Sequence, residues 1–155
     1  MFDSFWTIPN AAASPGWAAS GLFVSAFVSA TLLPGGSEVF LGALAAGAPD
    51  RVLLWMGAAT LGNTLGSLTT YAMGRALPRP APENMSPGQR RAYALAGRWG
   101  GWVLLFSWLP VVGDLLPAAA AWVDVGLWRA VAAIAAGKAA RYALIVWAAL
   151  SWSAG

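Results

Sequence analysis

Four charged side chains interrupt the apolar runs of this sequence, and their signs match. Glu38 and Asp114 each follow a Leu-Pro pair at the same interval, in Leu33-Pro34-Gly35-Gly36-Ser37-Glu38 and in Leu109-Pro110-Val111-Val112-Gly113-Asp114. Lys138 and Arg141 stand three residues apart near the middle of a later apolar stretch, a spacing that puts both on one helix face. A lysine, arginine or aspartate at the centre of a membrane helix costs about 2.5 to 3.5 kcal/mol, so the two cations left unpaired cost roughly 5 to 7 kcal/mol together. Two carboxylates balance them in number. The expectation is a polar site at mid-membrane in which acids and cations pair at rest and separate when an anionic headgroup or a proton enters. A plainer reading is that Glu38 and Asp114 each begin a short helix and only cap its free N–H groups at the positive end of the dipole. Capping leaves the two cations unexplained, and ionisable residues inside a membrane are functional by default.

The elements that must hold these residues are written twice. After Glu38 by 24 residues comes Gly62-Asn63-Thr64-Leu65-Gly66, and after Asp114 by 23 comes Gly137-Lys138-Ala139-Ala140-Arg141, so Asn63 is the counterpart of Lys138. Internal repetition fixes the architecture that later inferences must fit. Each copy reads as a broken apolar segment followed by a long apolar helix. The first hairpin is expected over 17–48 with its turn at Pro34, Gly35 and Gly36, and the second over 101–123 with its turn at Pro110 to Gly113. The halves of each are shorter than the roughly 20 residues that span a bilayer, which favours re-entrant hairpins. Spanning helices are expected over 52–74 and 127–150. The predicted fold is therefore an all-α integral membrane protein in one domain, two units (17–74 and 101–150) joined by a linker over 75–100. A hairpin returns to its own side and the long helix crosses once, so the second unit is inverted relative to the first.

Composition agrees. Of 155 residues, 59% are apolar and 10% charged, too few charges to coat a soluble domain. Cysteine and histidine are absent, which removes disulfides, thiolates, imidazole bases and the usual zinc ligands; no cofactor and no enzymatic centre are expected. Ser37 as a nucleophile lacks a histidine to activate it. Arg75, Arg79, Arg90, Arg91 and Arg98 fall in one stretch opposed by Glu83, which marks the linker as cytoplasmic rather than nucleic-acid binding. Nothing basic precedes Arg51, so no cleaved secretory leader is expected, and Phe2, Phe5 and Trp6 read as interfacial anchors. Within the linker Ser86-Pro87 has the form of a helix start, with Ala92, Leu95, Ala96 and Trp99 on the face of a helix lying on the membrane surface. Trp99, Trp102, Trp122, Trp128, Trp147 and Trp152 read as interfacial belts. Ala58, Gly62, Gly66, Thr70 and Gly74 form a ladder of small residues for close helix packing, within one chain or between two copies as a homodimer.

At these residues the chain resembles the YqaA group of the DedA superfamily, also called VTT-domain or SNARE-associated membrane proteins. The blocks that carry the likeness run from Ser29 to Glu38, from Gly62 to Gly66 with Tyr71, Gly74 and Arg75, from Ser107 to Asp114, and from Gly137 to Tyr142. The resemblance implies two facing re-entrant hairpins in the bacterial inner membrane. It also implies a lipid flippase or scramblase that handles glycerophospholipids or polyprenyl phosphates, some members being coupled to protons. Membrane lipids are then the expected partners. Longer members carry an acid where Ser67 stands and an arginine where Gly113 stands.

Overall fold

Proline or glycine stands at several helix limits of this chain, at Gly47-Ala48-Pro49, Leu77-Pro78 and Trp99-Gly100. The computed structural model describes residues 15–31, 36–109 and 112–153. Among these residues there are six α-helices and no strand: α1 (Pro15–Thr31), α2 (Gly36–Gly47), α3 (Val52–Ala76), α4 (Pro87–Trp99), α5 (Val112–Trp122) and α6 (Leu127–Ser153). The turn residues Pro34, Gly35 and Pro110 lie outside the described residues, as do Phe2, Phe5 and Trp6. Gly36 opens α2, and the N–H of Gly113 donates to the Leu109 carbonyl at 3.0 Å, closing the chain across the second break.

The first arm of the second broken segment is a 3-10 helix, Gly100–Trp108, rather than an α-helix. A 3-10 helix rises about 2.0 Å per residue against 1.5 Å, so this short arm reaches farther than an α-helix of equal length. Gly100, with φ of +54°, makes the left-handed corner between α4 and that arm.

By length and apolarity Leu127–Ser151 is able to cross a membrane. The 25 residues of α3 are long enough, yet it reaches that apolarity only together with α2, from which it is bent by 119°. Asn63, Thr64 and Ser67 lower its apolarity, and all three are buried in the protein. Thr69, which is exposed, returns its hydroxyl to the Leu65 carbonyl of the same helix at 3.0 Å.

Small residues set the helix spacing. A Cβ at Gly66 would lie 2.6 Å from the Phe27 carbonyl oxygen on α1, and one at Gly74 would lie 2.9 Å from the Ala118 carbonyl oxygen on α5. Gly62 meets the Phe23 carbonyl still more closely. The glycines of the ladder thus seat other helices of the same chain. Gly137 repeats the device in the second half, where a Cβ would lie 2.6 Å from the Leu105 carbonyl oxygen on the 3-10 helix. In both halves a glycine of the long helix presses on the backbone of the segment that precedes the break.

Two apolar cores result. One gathers Tyr71, Leu104, Leu116, Ala130 and Ile134, and the other Leu22, Leu41, Trp55, Tyr142 and Val146. Helix α6 supplies residues to both. The linker helix α4 starts at Ser86, which forms a reciprocal capping box with Gln89. Its Ala92 and Ala96 are buried against neighbouring elements, whereas Leu95 and Trp99 stay exposed. Trp102, Trp128 and Trp147 are also exposed, but Trp122 is partly buried with its ring 6.5 Å from that of Tyr93.

Candidate functional site

Between the two apolar cores, the middle of α6 turns polar. Ile134 belongs to one core and Tyr142 to the other, and Lys138 lies halfway between them with no exposed surface. Its Nζ donates to Asp114 Oδ1 at 3.2 Å. Asp114 is in the first turn of α5, just past the second break. Three residues along α6, Arg141 forms an ion pair with Glu38, in the first turn of α2 and just past the first break. The side chains of Arg141 and Glu38 are 13% and 31% exposed, so this pair is the less buried of the two.

Each acid lies in the first turn of the helix that follows a different break, and both meet one face of one helix. An acid in a first helical turn also meets the positive end of that helix's dipole, so the capping and ion-pairing roles coexist. A buried charge is tolerable only where it is paired and hydrogen-bonded, which is why Lys138 and Asp114 must meet here.

Asn63 reaches the same layer from α3. Its Nδ2 donates to Tyr142 Oη at 2.8 Å, and the Ser37 hydroxyl is hydrogen-bonded to that oxygen at 3.1 Å. Tyr142 thereby joins α2, α3 and α6 at one atom. Sequence reasoning gave Tyr142 no role and weighed Ser37 only as a nucleophile. The signal was present, since Tyr142 lies four residues after Lys138 and shares its helix face. Asn63 Oδ1, Ser67 Oγ and Ser107 Oγ are buried without a hydrogen-bond partner among the described residues. Gly113 is packed against the backbone of Ser107, where a Cβ would lie 2.6 Å from its carbonyl oxygen. Any larger residue at that position, arginine included, would displace the start of α5 from the 3-10 helix. Gly36 is exposed and has room, with Ser29 Oγ 3.8 Å from where its Cβ would be.

Comparison with known proteins decides the family. Inner membrane protein YqaA of Escherichia coli is 40% identical over 124 residues, covering 80% of this chain and 85% of the relative. The chain belongs to the YqaA group. A YqaA protein of Shigella flexneri matches to the same extent, and an uncharacterised protein of Haemophilus influenzae is 43% identical over 142 residues, covering 84% of this chain and 88% of its own length. No protein-family model and no solved structure matches the chain. Membership in the YqaA group makes this an α-helical protein of the bacterial inner membrane. The paired charges between its two cores are therefore charges kept inside a membrane protein.

Proposed function

We propose that this YqaA-group protein carries a lipid or a lipid-linked anion across the inner membrane, as a flippase or scramblase of the DedA type. One observation carries the reading. Two acid–cation pairs, one from each broken segment, converge on a single face of α6 where a membrane protein is least able to keep charge idle. In this reading the hairpins are re-entrant, the two units are inverted, and the linker over 75–100 is cytoplasmic. Lys138 and Arg141 clamp the anionic headgroup in the occupied state, and Asp114 and Glu38 take a proton as they let go. Asn63 and Tyr142 hold the face of α6 in register, and Gly113 lets the start of α5 pack against the 3-10 helix. Phospholipid or polyprenyl phosphate is the cargo class, with proton coupling as the source of direction. Discontinuous helices that meet near mid-membrane are a recurring plan of transporters, since irregular backbone survives there only inside protein or around a wet cavity.

The rival reading is a membrane scaffold whose charges only align helices. The hydrogen bonds that tie Ser37, Asn63 and Tyr142 together favour it, because they join α2, α3 and α6 through groups that carry no charge. Replacing a buried ion pair by apolar residues of similar volume leaves stability near neutral. The double variant Asp114→Leu with Lys138→Met is therefore expected to remain folded. Reconstituted in liposomes with fluorescent phospholipid or a polyprenyl phosphate, with and without a pH gradient, the natural protein should transfer lipid between leaflets and the double variant should not. A folded double variant that transfers lipid as fast as the natural protein would remove the charges from the mechanism. Absence of transfer by the natural protein with both cargo classes would favour the scaffold.

A further inference from the structure

Two grooves of similar size flank the start of α6, and they differ in the state of one charge. The first, about 650 Å³, contains Arg75, whose guanidinium is already bound to Asp124 at 2.7 Å. The second, about 640 Å³, is lined by Trp99, Trp102, Leu105, Arg129 and Ala133 among others. Arg129 is exposed and makes no ion pair among the described residues. Arg98, in the last turn of α4, adds a further positive charge beside Trp99.

We propose that the second groove binds one anionic glycerophospholipid from the leaflet on the linker side. Its phosphate would meet Arg129, and an acyl chain would run along Leu105 and Ala133. A guanidinium offers phosphate a planar fork of donors, and here no carboxylate competes for it. Trp99 and Trp102 are 52% and 73% exposed, as expected of rings at headgroup depth. From Arg129 to Ala133 the helix advances about 6 Å toward Lys138, so the groove runs from a charged rim into the apolar layer. A soluble anion would use the arginine and leave the apolar wall empty, whereas a phospholipid uses both. Gly101 lines this groove, where an added Cβ would lie 3.2 Å from Val125 Cγ1 and in ordinary contact, at 3.8 Å, with the Arg129 Cβ. The site does not depend on the transport reading, because a carrier and a scaffold would hold this lipid alike.

Native mass spectrometry of the purified protein in neutral detergent tests the proposal with phosphatidylglycerol and phosphatidylcholine as probes. One phosphatidylglycerol should be retained in preference to phosphatidylcholine. Arg129→Gln should weaken that retention about fivefold, the effect of one arginine near a charged membrane surface. Arg91→Gln, which removes an exposed charge of α4 outside the groove, should leave it unchanged. Trp102→Ala should weaken both lipids, and Arg129→Lys should lose less than Arg129→Gln. Equal retention of the two lipids would overturn the proposal. So would an equal loss in Arg91→Gln and Arg129→Gln, which would mean diffuse attraction, or full displacement by inorganic phosphate, which would mean an anion site alone. Helical circular dichroism of each variant checks that it folds.

Discussion

Lys138 has no exposed side-chain surface while Asp114 keeps 21% of its own, and that asymmetry ranks their substitutions. Asp114→Asn leaves an ammonium group buried without its counter-charge, a loss expected to cost about 3 to 5 kcal/mol. Lys138→Met leaves a carboxylate that is only partly buried and lies at the positive end of the α5 dipole, so it should cost clearly less. Reversible unfolding in detergent measures the difference, and equal losses would mean that burial does not set the energetics here. The presence of these charges was legible in the sequence, because any Lys, Arg, Asp or Glu in an apolar run stands out. Their partners were not. Glu38 and Asp114 occupy equivalent places in two copies, so no spacing rule distinguishes which acid meets Lys138 and which meets Arg141. Tyr142 escaped for another reason: a tyrosine in an apolar helix is unremarkable until its hydroxyl is seen to gather Ser37 and Asn63.

At the scale of elements, the contacts between helices make their own prediction. Gly66→Ala and Gly137→Ala each drive a methyl group against a backbone carbonyl at 2.6 Å, and neither α1 nor the 3-10 helix can yield without moving as a whole. Each should cost about 1 to 3 kcal/mol, the usual range for overpacking. Gly57→Ala meets nothing within 4 Å on the same helix and should be neutral or stabilising by up to about 1 kcal/mol through reduced backbone entropy. Thermal melts of the three variants side by side check the contrast. Helix limits were largely readable from Pro34, Pro87 and Pro110 and from the apolar runs between them. The 3-10 arm at Gly100–Trp108 was not, because its apolar sequence has no period that separates it from a buried α-helix. The packing partner of α4 was equally hidden. Alanines at positions 92 and 96 suit a membrane surface and a helix groove alike, and the groove is where they are.

At the scale of the whole molecule, the absence of cysteine makes topology measurable one residue at a time. Asp50, between α2 and α3, and Glu83, in the linker, lie beyond opposite ends of α3. Asp50→Cys should react with a membrane-impermeant maleimide in intact spheroplasts, and Glu83→Cys only after the membrane is opened. Labelling of both from the same face would end the picture of α3 as a crossing helix. The repeat in the sequence anticipates two units. What it leaves open is that α6 touches both apolar cores and that its middle faces the first turns of both α2 and α5.

Lys138 and Arg141 are separated by less than one turn of a continuous helix, about 4.5 Å along its axis. Twisting that rod about its length swings both cations through the same arc at once. Neither latch has a joint of its own, so loosening one hairpin by such a turn loosens the other, and the pair behaves as a single bolt thrown through two staples.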